Sequence, residues 1–403
     1  MAPSQNAMSL YASSSKPRNP AMLPSQRDAF DIPREVCYLN AASWSPLPRK
    51  VQEAGHEGVD RKARPWDVDP GLARAQHERA RQAAAALIGA DADDVALIPS
   101  VSYGVAVAGK IFAPPAGTRV LLVQDDHSSP VLEWMTRAAA QGFVVEVVRR
   151  PANGDWTAAV LEAIARPGAA PVSLASISSV HWADGGAIDI AAIAPALRAK
   201  GAALLVDATH GAGVAPIDVA TLDPDFLIFP TYKWVLGPYG RAFMYIAKRR
   251  QEGVPLEQTG FGRRAIASEA APYLKDTSFA PTARRFDMGE RDHFISLEMA
   301  AVGMEMMAAW GAGAISERLG VLTDRLAEGL TAQGAVLTDK RFRVPHILSI
   351  AFPHGMPEGL IENLAASGAH VAPRLGRVRI SPHVYNDEAD VDRFLHIWGK
   401  VTQ

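Results

Sequence analysis

The chain of 403 residues holds one cysteine, Cys37, so no disulfide can form within it. Charge of one sign is missing too. Lys and Arg number 41 against 43 Asp and Glu, and a formal net charge of −2 argues against a nucleic acid or an anionic membrane as partner. No apolar run approaches the length needed to span a bilayer. The first 25 residues are rich in Ser and Pro and lack an apolar core of signal-peptide length. Secretion is therefore not expected, and the cytoplasm is the expected compartment. A nucleotide fingerprint is absent as well: Gly311 and Gly313 open a GxGxxG pattern, but no strand leads into it and Ser316 stands in the third glycine's place. No metal is expected either. Asp125, Asp126 and His127 are adjacent, cannot easily turn to one ion, and have no further His/Asp pair at ligand spacing.

What is present is ordinary in bulk, with 48% hydrophobic and 21% charged residues, and a length that permits about two to three domains. The informative stretch is 202–240. Its two wholly apolar runs, Ala203–Val206 and Phe226–Phe229, suit buried parallel strands. The first run delivers Asp207 and then His210; the second delivers Thr231, Tyr232 and Lys233. In an open α/β sheet the carboxyl ends of the strands line the ligand crevice, so a carboxylate and a lysine meet at the mouth of one pocket. A lysine there is an amine nucleophile able to form a Schiff base, and the acid can hold a pyridinium nitrogen protonated.

Further apolar runs predict strands at Val95–Ile98, Val120–Val123, Phe143–Val148, Val172–Ile177 and Ala242–Ile246, then at Ala335–Leu337, Ile347–Phe352 and His370–Ala372. Helices are predicted over Pro48–His56, Leu72–Gly89, Ile188–Lys200 (its start unsettled by Pro195), Ile295–Ala308, Ile315–Gln333 and Glu358–Ala366, with a loop over Arg61–Asp69. After the first large strand, the small-residue turn PSVSYG opens another helix. Its free N–H groups, with Ser100 and Ser102, form either an anion site or a simple serine cap.

The segments VDATHGAG and FPTYKWVLGPYG, with YLNAAS near the start and RVRISPHVYN near the end, resemble the class V aminotransferases. These are fold type I enzymes dependent on pyridoxal phosphate (PLP), and they include cysteine desulfurases, kynureninase and isopenicillin N epimerase-like proteins. The resemblance runs from about Val36 to Trp398. It implies an α/β fold: a large domain over 36–280, with a mostly parallel seven-stranded sheet between helices, and a smaller α+β domain over 281–403. Residues 1–35 would be a flexible arm, and 36–70 would pack on the small domain.

The resemblance also implies roles. Lys233 would carry the cofactor as a Schiff base, Asp207 would pair with its ring nitrogen, and His127 would stack on its face. His210 would lie near the 3-hydroxyl, Tyr232 beside the lysine, and Val101, Ser102 and Tyr103 on the phosphate turn, where relatives more often have Gly or Thr than tyrosine. Trp134 matches a helix tryptophan of several relatives. Arg379 would grip the α-carboxylate of an amino-acid substrate with two donors. Asn40, with Ala41, would touch substrate, or would simply end a surface strand. Trp182, with His181, stands where relatives have Asn, Ser or Thr. Thr259, Gly260 and Arg263 are either phosphate contacts across a homodimer interface or a solvated loop; Arg284 and Arg285 precede FDMGERDHF, which is similar to the family's entry into its second domain, but Gly289-Glu290 replaces the family's Gly-Thr. The implied activity is transamination, with β-elimination (a C–S or C–C lyase) or epimerisation as alternatives on the same scaffold, and a catalytically silent binding protein as the reading from another class. Persulfide chemistry is disfavoured, because VAPRLGRVRIS contains no cysteine where a desulfurase needs one.

Overall fold

The computed structural model describes residues 22–402 apart from 265 and 267–270. A short strand, β1 (Cys37–Tyr38), is followed by helices α1 (Arg49–Ala63) and α2 (Leu72–Ile88). Then come β2 (Val95–Ile98), α3 (Val101–Ile111), β3 (Arg119–Val123), α4 (Ser128–Gln141), β4 (Val144–Val148), α5 (Trp156–Ala165) and β5 (Val172–Ser178). The chain continues through α6 (Ile190–Ala199), β6 (Ala203–Asp207), α7 (Val219–Leu222), β7 (Phe226–Pro230) and β8 (Ala242–Ile246).

These strands form a seven-stranded sheet in the order β2-β8-β7-β6-β5-β3-β4. All neighbours from β7 to β4 pair parallel, and β8 runs antiparallel to both β7 and β2. Every residue of β2, β3, β5, β6, β7 and β8 is buried, as expected of strands sandwiched between helix layers. Helix–sheet alternation over this region thus places the carboxyl ends of β5, β6 and β7 on one rim. Asp207 pairs with Ser178 of β5 and with Ile228 of β7.

The later chain supplies α8 (Ser296–Trp310), α9 (Ala312–Ala332), β9 (Val336–Leu337), β10 (Leu348–Ala351), α10 (Leu360–Ala366), β11 (Ala369–His370), β12 (Ala372–Arg374), β13 (Arg377–Ile380) and α11 (Glu388–Val401). Four of these strands make an antiparallel sheet in the order β12-β13-β10-β9. The beginning of the chain is sewn onto this part. β1 pairs parallel with β11, Asn40 bridges to Ser381, and Ala41 N–H donates to the Ser381 carbonyl at 3.0 Å.

Several boundaries differ from the sequence reading. The first helix continues to Ala63, because nothing breaks it until Arg64, which precedes Pro65 and is steered out of the helical region. The expected loop over Arg61–Asp69 is accordingly shorter and contains a turn of 3₁₀ helix over Pro65–Asp67. The run His370–Ala372 divides between two sheets, β11 pairing with β1 and β12 with β13. Residues 1–21 of the expected arm lie outside the described residues. Beyond them the arm is fastened: Gln26 N–H donates to the Val384 carbonyl at 2.7 Å, and buried Arg27 pairs with Asp390 at 2.8 Å. Among the described residues, no helix is long and apolar enough to cross a membrane.

Candidate active site

A cavity of about 260 Å³ opens at the sheet rim, between the ends of β2, β5, β6 and β7 and the N-termini of α3 and α4. Asp207, His210, Tyr232 and Lys233 line it, as do His127, Trp182, Val101 and Ser102. The amine and the acid deduced from two separate strand ends therefore share one chamber. Lys233 is almost fully buried. Burial, followed by the charge of Arg379, lowers its ammonium pKa to about 7, against the partial opposition of Asp207. Its loop is tightly built. Leu236 adopts a left-handed backbone (φ 58°), a position that costs a non-glycine residue about 1–3 kcal/mol. At Gly237 an added Cβ would come within 2.7 Å of the Thr231 Cβ. Thr231 itself is structural, donating to the Pro238 carbonyl at 2.6 Å.

His210 sets the chemistry beside the lysine. Trp234 Nε1–H can only donate, and it donates to His210 Nδ1 at 2.9 Å. The imidazole proton therefore resides on Nε2, which lies 3.4 Å from Lys233 Nζ. Burial and then the lysine charge hold the His210 pKa well below its ordinary value, so the ring is neutral and donates. Two histidines not deduced from the sequence buttress this pair: His346 Nε2 lies 2.7 Å from the His210 carbonyl, and His383 Nε2 lies 3.0 Å from the Trp234 carbonyl.

On the acid side, Thr209 N–H donates to Asp207 at 2.8 Å. A second, half-buried carboxylate stands nearby. Asp126 accepts from the Ser178 hydroxyl at 2.8 Å and from His127 N–H at 2.7 Å. Burial and then the Asp207 charge push its pKa up to about 6. His127 caps α4, stands edge-on to Trp182 at 5.6 Å, and has its pKa lowered by burial and then by the Lys233 charge. Tyr232 stacks on Tyr239 at 3.9 Å, and Lys233 Nζ lies 5.5 Å from the centre of its ring. Burial raises the Tyr232 phenol to about 12.

Some expected residues lie elsewhere. Tyr103 does not line the cavity; burial and the adjacent Glu257 raise its phenol pKa. Its backbone N–H is used by the Ser100 cap at 3.2 Å. His181 is fully buried beneath the turn, stacked on Trp156 at 5.1 Å and paired with Asp184 at 2.9 Å, so only Trp182 of that pair faces the cavity. Asn40 does not line it either, and its Oδ1 is buried without a partner. Trp134 is core. Arg263 reaches Gln258 at 2.5 Å and Arg284 reaches Asp93 at 2.9 Å, both within the chain.

Arginines provide a signal that sequence pattern alone did not. The buried arginines among the described residues are Arg27, Arg81, Arg119, Arg241, Arg285, Arg318, Arg343 and Arg379. All but two have a carboxylate within 3.7 Å. The exceptions are Arg241 and Arg379. Arg241 lines the cavity near Ser100 and Ser102, and its acceptors are the Ser296 hydroxyl at 2.7 Å and the Met288 sulfur at 3.4 Å. Arg379 donates to the carbonyl of cavity-lining Trp182 at 2.6 Å and to the Ser43 hydroxyl at 2.7 Å. A buried cation without an anion is costly, and here Arg241 lines the chamber that holds the lysine while Arg379 stands behind its Trp182 wall.

A family model, Aminotransferase class-V, matches residues 38–394. The chain belongs to the class-V aminotransferase family. As such it is a PLP-dependent enzyme, and its architecture is that of fold type I. It is 28% identical over 388 residues to an uncharacterized aminotransferase, YcbU, of Bacillus subtilis, covering 92% of this chain and 95% of that one. It is also 28% identical over 323 residues to the kynureninase of Deinococcus radiodurans, covering 77% and 76% respectively. Among solved structures, an apo cysteine desulfurase from Thermococcus onnurineus superposes with a TM-score of 0.79 at 22% identity, covering 93% of this chain and 96% of that one; the likeness is one of fold.

The residues of this class-V chain suit PLP: an amine of lowered pKa, an acid at a strand end, and an unpaired buried guanidinium beside two serines and a helix N-terminus. The amine has a pH signature. Below about 7 Lys233 is protonated and cannot attack an aldehyde; above it the free amine dominates. The rate at which apoprotein captures PLP, followed by visible absorbance, should therefore rise with pH through a midpoint near 7 and then level off. A midpoint near the ordinary lysine value of 10.5 would contradict the burial argument.

Proposed function

We propose that this enzyme is an aminotransferase acting on an amino-acid substrate, with Lys233 as attachment point and base. The observation that carries the reading is that Arg241, buried without a carboxylate, lines the Lys233–Asp207 chamber, while Arg379, equally unpaired, holds the carbonyl of cavity-lining Trp182 and is close enough for its charge, after burial, to lower the Lys233 pKa. Arg241, with Ser100 and Ser102, would hold the phosphate of PLP. Asp207 would face its ring nitrogen, His127 its ring, and His210 its 3-hydroxyl. Bound there, PLP supplies an electron sink for the carbanion formed at the substrate Cα.

The remaining work falls to the chain's own side chains. Arg379, bearing no anion of its own, would receive the α-carboxylate and fix which Cα bond faces the lysine. Lys233, close to half-protonated near neutral pH, is suited both to take the Cα proton and to give it back. His210 Nε2–H would steady the amine while it is neutral. Trp182 and Tyr239, which line the chamber, would pack against a bound substrate.

A thiol-relay route finds no support. Cys37 is fully buried, its sulfur 3.2 Å from the Asp390 carbonyl, and burial raises its pKa far from thiolate formation. The proposal extends to a cytoplasmic enzyme and to a homodimer, the latter supported by the exposed aromatic pair of Trp44 and cavity-lining Tyr239, edge-to-face at 5.3 Å. The division into domains near residue 281 is proposed with it. The deciding experiment supplies holoenzyme with amino acids and no amino acceptor. Transamination predicts stoichiometric oxo acid and a cofactor left in its amine form; continuous release of ammonia would instead mean elimination.

A further inference from the structure

Arg379 is not alone. Arg374, at the end of β12, donates through Nη2 to the Ser43 hydroxyl at 2.7 Å, as Arg379 does from β13 at the same distance. One oxygen thus accepts from two guanidiniums, which occupies both lone pairs and leaves its proton to donate. Neither arginine has an ion-pair partner among the described residues. Arg374 is half-buried, its other contacts being the Pro373 carbonyl at 2.7 Å and the face of Trp182 at 5.8 Å. Its charge is felt at Lys233, at His127 and at Arg379, whose pKa falls to about 9 through burial and then through Arg374. Among the described residues the buried arginines other than Arg241 and Arg379 are matched by acids, as in Arg81–Asp287 and Arg318–Glu388. Two like charges bridged by a neutral hydroxyl are therefore an arrangement that an incoming anion would relieve.

A single α-carboxylate satisfies one guanidinium fork. We infer that the enzyme's amino-donor substrates are dicarboxylic amino acids, with Arg379 and Ser43 taking the α-carboxylate and Arg374 the side-chain carboxylate. This rests on the reading of Arg379 given above. Arg374 is the more exposed of the pair and lies on the Trp182 face, so it meets the distal end of a substrate whose Cα points at Lys233. Specificity follows from the cost of misfit. An uncharged side chain would leave the Arg374 charge uncompensated, whereas an acidic one completes it.

The test uses holoenzyme and single-turnover conversion of the bound cofactor, with aspartate, glutamate and 2-aminoadipate set against asparagine, glutamine and alanine. The acidic series should react with kcat/KM about 10- to 100-fold above the neutral series. R374Q should lower kcat/KM for the acids about 10- to 100-fold more than for the neutral amino acids, mainly through KM, with R374K recovering part of the difference. An unchanged cofactor spectrum in both variants confirms an intact site. Equal losses for acidic and neutral amino acids would overturn the inference, since both arginines would then serve one carboxylate. So would a wild-type enzyme that prefers neutral donors, although its turnover would leave the proposed aminotransferase standing. A wild-type protein that converts none of them would sink both.

Discussion

Lys233→Ala should yield a folded protein that binds PLP without covalent attachment and turns over amino acids at least about 10³-fold more slowly than the parent. The lysine is buried, so its ammonium charge is a burden that the fold tolerates for function. Removing it relieves that burden, and thermal stability of the apoprotein should not fall. Borohydride reduction followed by intact mass measurement separates the cases: the parent should gain the mass of the cofactor and the variant should not. Covalent retention in the variant would place the attachment at another amine and end the proposed mechanism.

Asp207→Asn should preserve the fold, because the amide oxygen can still accept the Thr209 N–H that the carboxylate accepts at 2.8 Å. What it removes is the negative charge that favours a protonated ring nitrogen. A fall in kcat of about 10²- to 10³-fold is expected, with KM changed much less, since the loss is felt as charge develops and not on binding. The neighbouring Asp126 offers an internal control. Its raised pKa depends in part on the Asp207 charge, and neutralising that charge should let Asp126 ionise at lower pH. Undiminished kcat in the Asp207→Asn enzyme would show that the acid serves only the backbone turn.

Asp207 and Lys233 are legible in the sequence because each follows a short apolar run, and apolar runs of that length in an alternating α/β pattern fix which rim their ends share. Ser102 and Tyr232 follow from the same rim, whereas His127 and Trp182 are legible only through the resemblance to the family. Tyr103 and His181 depart from the rim for local reasons: Tyr103 lies in the first turn of α3 with its phenol at Glu257, and His181 turns inward. For His181 the decision belongs to Asp184 and Trp156, a close polar contact and a ring stack that no spacing rule announces. Arg241, Arg374 and Ser43 escape a reading of the sequence because their meaning lies in what they lack. A missing counter-ion is visible only once every carboxylate has a position, although the arginine-rich run PRLGRVR could have raised the question.

The pairing of β1 with β11 has a bearing on how the enzyme comes into being. Ser43 and Arg379 are 336 positions apart, and Arg374 reaches the same hydroxyl across 331. Contacts between such distant segments carry a heavy loop-closure cost and form late. The wall that would select the substrate is thus the part of the site that closes last, when the two ends of the chain meet.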